Sequence, residues 1–308
     1  MRAGSGEFPT AHAAFAAVCA VLLLVGIPAA AHAATREYWV TATRRPWVIV
    51  PNGHDALAHG DPLDPASFKT EAIVYERWTR RFRERLPNRS AGLVGPLIRA
   101  TAGDRILVHF RNLDLDAPHS MHFHGVDYRP SSDGAYLPGF SGPDGKVDPG
   151  EDHTYRLHAR GDSVGVWPYH DHSPSMEESI AGGLYGVMSI RGRRERRPDR
   201  ENVVVFTPMG DYMSIDGRAF VGNTPVFHAR VGDLVQWNVL ALGDEHHTFH
   251  VHGHRWLNRG VPEDTRTVGP AESFRVRWRE RARGTWLYHC HVESHMARGM
   301  VGLYRVRR

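Results

Sequence analysis

Cysteine is almost missing from this chain: among 308 residues there are two, Cys19 and Cys290. So low a count excludes a disulfide scaffold. Cys19 sits inside an apolar N-terminal run, "AAFAAVCAVLLLVGIPAAAHA", which ends in the small-residue triplet "AHA" at 31–33. Residues 1–34 are therefore expected to be an export signal, cleaved near Ala33 or Ala34. The basic head of this signal is weak, with Arg2 alone, so an uncleaved anchor is the alternative. Cleavage would leave a secreted or extracytoplasmic protein without stable membrane contact. It would also leave a single thiol, either buried and inert or bound to metal.

Lysine is scarce as well. Lys69 and Lys146 are the only lysines among 38 basic residues, which face 34 acidic ones for a formal net charge of +4. Glutamate and aspartate interrupt the arginines of "RGRRERRPDR" (191–200), which reads as a solvated linker and argues against a nucleic-acid surface. Long helical patterns are rare too, and "SFKTEAIVYERWTRRFRERL" (67–86) fits strand or helix equally.

What the sequence does contain is a succession of short strand-like runs, such as "RILVHF", "NVVVFT", "DLVQWNVL" and "GLYRV", separated by Gly, Pro, Asn and Asp. This is the pattern of β-sandwich domains of about 100 residues each, and two fit after the signal. Internal repetition supports the count. "PLIRATAGDRILVHF" (96–110) parallels "PVFHARVGDLVQW" (225–237), "HSMHFHG" (119–125) parallels "HTFHVHG" (247–253), and "WPYHDH" (167–172) parallels "WLYHCH" (286–291). The mature chain is thus expected to be all-β, a duplicated Greek-key sandwich with units at 35–195 and 200–308 and a seam near 192–201.

The repeats carry four His-x-His pairs: His122/His124, His170/His172, His250/His252 and His289/His291. On a strand, residues i and i+2 share a face, so each pair aims two imidazoles the same way. Four such pairs at matched points of a duplication point to metal. Imidazole suits copper, zinc and iron, whereas a lone thiolate with histidines and a methionine points to copper. A blue-copper site takes two histidines, one cysteine and a weak axial methionine. Cys290, His295 and Met300 supply three of these from one short stretch, and His247 stands just before the His250/His252 pair. Because side chains alternate, Cys290 points to one metal site while His289 and His291 point to another. The stretch reads as an electron bridge.

"HCHVESHMARGM" together with the four His-x-His pairs resembles the multicopper oxidases, nearest in shape to two-domain small laccases. "AGLVGPLIRATAGD" and "PHSMHFHGVDY" are also similar to ceruloplasmin-type domains. The resemblance covers residues 65–308, and 44–66 carries little of it. It implies cupredoxin-like domains and four coppers per chain. The implied type 1 ligands are His247, Cys290, His295 and Met300, and the type 2 ligands are His122 and His250. The implied type 3 ligands are His124, His170, His172, His252, His289 and His291. Asp133 and Asp264 resemble carboxylates lining the approaches to the cluster, with a turn-forming role as the alternative. Tyr128 resembles a tyrosine that lends an electron near the type 2 copper, with core packing as its alternative. By analogy the chain closes into a homotrimer with trinuclear clusters at subunit interfaces.

The first half departs from this pattern. Asp171 stands where the second half has its cysteine and Met176 falls at the place of His295, so His119 is expected to be an ordinary polar histidine. The function implied is a laccase-like oxidase that couples one-electron oxidation of phenols or aromatic amines to reduction of O2 to water. A metal-ion oxidase acting on Fe(II) or Cu(I), with Glu245 or Glu293 near the type 1 site, is the runner-up. A copper nitrite reductase and a non-catalytic copper electron carrier are the further alternatives.

Overall fold

The structure is a computed structural model that describes residues 33–57, 62–87 and 92–308, with Met1 and Gly4. The expected export signal and Cys19 lie outside the described residues, apart from a few positions at its ends. Among the described residues, no helix is long and apolar enough to cross a membrane.

From Thr35 to Arg307 the chain builds two pairs of sheets. The first pair has a five-stranded sheet, ordered Lys69–Trp78, Thr35–Val48, Arg105–Asn112, Asp152–His158, Asp127–Tyr128. Facing it is a four-stranded sheet, ordered Ile98–Thr101, Tyr185–Arg191, Gly165–His170, His122–Phe123. The second pair repeats this plan. Its four-stranded sheet runs Tyr212–Ile215, Arg200–Met209, Leu234–Ala241, Ser273–Arg279. Its five-stranded sheet runs Phe227–Arg230, Val301–Arg307, Gly284–Cys290, His247–Val251, Thr265–Val268.

The duplication extends to strand direction. Thr35–Val48 lies parallel to Arg105–Asn112, as Arg200–Met209 does to Leu234–Ala241. Ile98–Thr101 lies parallel to Tyr185–Arg191, as Phe227–Arg230 does to Val301–Arg307. Arg105–Asn112 shows why these segments are strands. Ile106, Val108 and Phe110 are fully buried and alternate with partly exposed neighbours, the period-2 pattern of a sheet with one face on a core.

The ambiguous stretch 67–86 is the strand Lys69–Trp78, followed by a single 3-10 turn at Arg80–Phe82. Its four consecutive buried residues obscured the period because both faces are covered. Ile73 and Tyr75 enter the first sandwich core, while Ala72 and Val74 pack with Trp47, Ile49, Phe68, Met209 and Tyr212. The poorly matched 44–66 stretch thus reaches across to the second sandwich. The Trp47 indole donates to the Gly217 carbonyl at 2.7 Å, Ala56 N–H to the Val221 carbonyl at 3.0 Å, and Asn52 N–H to the Asn223 side chain at 2.9 Å.

Six of the ten residues of 191–200 are exposed, as expected of a solvated linker, but Glu195 is engaged. Glu195 pairs with Arg275 at 2.9 Å and with Arg277 at 2.5 Å, both on the second sandwich, and Arg191 donates to the Glu195 carbonyl at 2.7 Å. Within the stretch it is the charge of Glu195 that closes across the seam, while Arg196 pairs locally with Asp199.

Asp216 also ties the two sandwiches together. Its carbonyl accepts Leu93 N–H at 2.8 Å and its Oδ1 accepts Val205 N–H at 2.8 Å, while Oδ2 has no partner among the described residues. Residue 92 must be glycine here, because a Cβ would stand 2.0 Å from the Asp216 carbonyl oxygen. Full burial raises the Asp216 carboxyl to about 8. An unfolded chain releases this proton near pH 4. Between about 4 and 8 the folded state therefore keeps a proton that the unfolded state has lost, and stability falls as pH rises, by up to about 1.4 kcal/mol per pH unit. Asp216→Asn should flatten this fall, as read from urea midpoints at pH 5 and pH 8. Identical slopes in the two proteins would mean that Asp216 is ionised in the fold.

Candidate metal centre

The second sandwich brings four soft or borderline donors to one place. Cys290 ends the strand Gly284–Cys290, His247 begins the strand beside it, and Phe249 lies opposite Cys290 in the register. His295 rides on the short helix Glu293–Ala297, which the chain leaves just before buried Met300. Cys290 Sγ lies 3.8 Å from His247 Nδ1 and 3.6 Å from His295 Nδ1, and the two Nδ1 atoms are 3.1 Å apart. Two imidazole nitrogens facing each other beside a thiol need a shared cation or proton to reconcile them, and the donor set is that of a blue-copper site. Burial holds the Cys290 thiol above its usual range and lowers His247 to about 4. The neutral imidazole is the form that binds metal. Thr248 N–H donates to the sulfur at 3.3 Å.

The two histidines differ at their outer edges. His247 stacks on Phe206, and its Nε2 is buried without a partner among the described residues. His295 Nε2 meets the half-exposed carboxylate of Glu245 at 2.7 Å. Solvent therefore reaches this site along the His295 edge. Of the two acids considered from sequence, the structure brings Glu245 to the site and leaves Glu293 exposed at the start of the helix.

The eight histidines of the His-x-His pairs form two quartets. His122 pairs with His170 across antiparallel strands, and His250 pairs with His289 in the matching way. In the first quartet His124 Nε2 is 3.1 Å from His170 Nε2; in the second, His252 Nε2 is 3.1 Å from His289 Nε2. His172 and His291 complete the sets, their rings 5.4 Å from His122 and 5.6 Å from His250. Burial, reinforced by neighbouring imidazoles, lowers His124, His170 and His289 to about 4. Among the described residues, no hydrogen bond or ring contact joins one quartet to the other.

Backbone carbonyls set the tautomers. His122 Nδ1 donates to the Asp133 carbonyl and His250 Nδ1 to the Asp264 carbonyl, both at 2.7 Å. His170 Nδ1 donates to the Asp171 carbonyl at 2.8 Å and His289 Nδ1 to the Cys290 carbonyl at 2.9 Å. Each Nε2 is thereby left with a lone pair for metal. Sequence reasoning missed these partners because an acceptor on the backbone has no residue-type signature. Asp133 and Asp264 do lie beside histidines; their carbonyls make the short bonds, and the Asp133 carboxylate stands farther off, 3.4 Å from His122 Nδ1. The Tyr128 ring stands edge-on to His122 at 6.3 Å, and burial together with the Asp133 carboxylate raises its hydroxyl to about 12.

In the first sandwich, the place matching the thiolate site is closed. His119 is fully buried between Asp114, 2.8 Å from Nε2, and Asp171, 3.3 Å from Nδ1. Asp171 also accepts Ser120 N–H, Ser173 Oγ and Ser179 Oγ, each at 2.6 Å. Ser120 Oγ in turn accepts His172 N–H at 3.0 Å, which ties this network to the first quartet.

Sequence comparison agrees with these geometries. Two family profiles, both described as multicopper oxidase, match residues 88–195 and 195–308. A probable nitrite reductase–hydroxylamine oxidoreductase fusion protein of Kuenenia stuttgartiensis is 32% identical over 76% of this chain and 29% of its own length. Ferroxidase HEPHL1 of Mus musculus is 26% identical over 94% of this chain and 30% of its own length. Ceruloplasmin of Homo sapiens is 28% identical over 70% of this chain and 25% of its own length. The chain spans less than a third of the curated relatives it matches. A solved multicopper oxidase superposes with a TM-score of 0.68 at 22% identity, covering 88% of this chain and 89% of that one, and it shares the tandem cupredoxin-like fold. The chain belongs to the multicopper oxidases.

Asp171→Ala would leave His119 and three hydroxyl or amide donors buried without their acceptor. It should cost about 3–5 kcal/mol in chemical denaturation while leaving the spectrum of the Cys290 site unchanged. A cost under about 1 kcal/mol would mean that the network is not ionised.

Proposed function

We propose that this chain is an oxidase that uses copper to couple one-electron oxidation of an external donor to four-electron reduction of O2 to water. The observation that carries this reading is the pair of matched histidine quartets beside a complete Cys–His–His–Met set. His247, Cys290, His295 and Met300 would hold a type 1 copper, His122 and His250 a type 2 copper, and the other six histidines a type 3 pair. Bound copper would supply one-electron transfer at the thiolate site and O2 reduction at the histidine cluster. The chain's own part is to hold neutral imidazoles in one tautomer and to keep the sulfur dry. It also joins the two sites covalently, through Cys290 and its neighbours His289 and His291.

Each quartet supplies half of a cluster, so the two halves must meet. Exposed apolar side chains stand close to both. Leu137 and Phe140 lie in the loop where Tyr136 N–H donates to the His172 carbonyl, and Leu257 and Val261 lie on the hairpin that leads to Asp264. A closed homotrimer, with the first half of one copy against the second half of the next, would unite the quartets and cover these side chains.

Glu245 bears on the donor. A carboxylate bonded to the outward edge of His295 attracts a cation, which favours a metal-ion donor such as Fe(II) over the neutral phenols of the laccase reading. The ferroxidases among the relatives are in keeping with this choice.

The copper-loaded protein should carry about four coppers per chain and consume O2 with Fe(II). Glu245→Gln should raise KM for Fe(II) about tenfold while leaving kcat/KM for 2,6-dimethoxyphenol nearly unchanged. Equal loss with both donors would remove the cationic-donor reading. Nitrite reduction in place of O2 uptake, with about two coppers per chain, would replace the oxidase by a nitrite reductase. In a separate test, Cys290→Ser should abolish the blue absorption and turnover yet leave assembly intact, as followed by visible spectroscopy and sedimentation. Retained turnover would defeat the assigned role of Cys290.

A further inference from the structure

A second charged feature lies apart from the metal donors, in the seam between the sandwiches. A cleft of about 460 Å³ is lined by six arginines: Arg36, Arg99 and Arg191 from the first pair of sheets, Arg197 from the connecting stretch, and Arg275 and Arg277 from the second pair. Four carboxylates answer them, one of which, Asp199, lines the cleft and pairs with Arg196 at 3.4 Å. Arg36 reaches Asp104 at 2.9 Å and Arg99 reaches Glu201 at 2.6 Å, each through Nε, while Arg275 and Arg277 share Glu195. Arg191 is bonded to the Glu195 carbonyl and the Thr101 hydroxyl, and Arg197 makes no hydrogen bond or ion pair among the described residues. The cleft therefore keeps an uncompensated positive charge. Burial holds the Arg277 guanidinium below its usual range, with the repulsion of Arg275 and Arg191 set against the attraction of Glu195 and Glu201.

We propose that this cleft binds a compact multivalent oxyanion, the size of pyrophosphate or a tricarboxylate, which bridges the two sandwiches. The terminal nitrogens of Arg36 and Arg99 remain open as planar forks, the geometry that takes phosphate or carboxylate oxygens two at a time. Arg197 supplies a cation that the fold does not otherwise use. Because both sandwiches and the stretch between them contribute to the walls, the bound anion resists their separation, and stability rises with its concentration.

The test uses the copper-loaded full chain. Thermal midpoints are followed against sodium pyrophosphate, with ionic strength held constant by sodium chloride. A saturable rise is expected, with the half-maximal concentration increased about tenfold in Arg197→Gln. That substitution removes no contact that holds the fold. Arg36→Gln should weaken the response similarly, and tricarballylate titrated in parallel separates a phosphate ligand from a carboxylate one. The absence of a rise with either anion would overturn the site. So would a rise matched by sodium chloride alone, or one unaltered in both variants.

Discussion

Two strand pairs held in antiparallel register, with His122 opposite His170 and His250 opposite His289, are the constraint on which the rest depends. A one-residue slip in either pair would turn its histidines to the opposite face. The sandwich cores behind the strands, filled by Phe123, Tyr155 and Tyr169 in one half and by Phe249, Trp237 and Tyr288 in the other, exclude that slip. Packing energy spent on register thus becomes metal-site geometry. The same register places His124 and His170, and likewise His252 and His289, with their Nε2 atoms facing.

The duplicated halves solve one local problem in two ways. A buried polar cluster at the end of the penultimate strand needs its groups matched. In the second half Cys290, His247 and His295 converge there as a donor set that suits a metal ion. In the first half Asp171 replaces the thiol, and His119, Ser173 and Ser179 satisfy it with hydrogen bonds. One side chain therefore separates a site suited to metal from one completed by the protein, since a buried polar cluster is stable only when fully partnered.

A segment that neither family profile matches does part of the joining. Its residues Trp47 and Asn52 bond to the second sandwich. There Ala219 N–H donates to the Ile49 carbonyl, and Phe220 N–H to the Gly299 carbonyl next to Met300. The connecting stretch does the same on the opposite flank through Glu195. Both ties are long-range in sequence, and neither follows a repeat.

Local pattern was enough for much of this protein. Alternating apolar residues, the three repeated blocks and the spacing from His289 to Met300 determined an all-β duplicated fold and a copper-type donor set, because strand period and ligand chemistry are properties of neighbouring residues. Two things were decided only by tertiary structure. One was the partner of each group: Glu245 rather than Glu293 on His295, backbone carbonyls on the Nδ1 atoms, and Asp114 with Asp171 around His119. The other was the role of charge in 191–200, which reads as solvated until the arginines of a strand some eighty residues away close over Glu195. Such contacts depend on where folding brings distant backbone, and residue type alone does not carry that information.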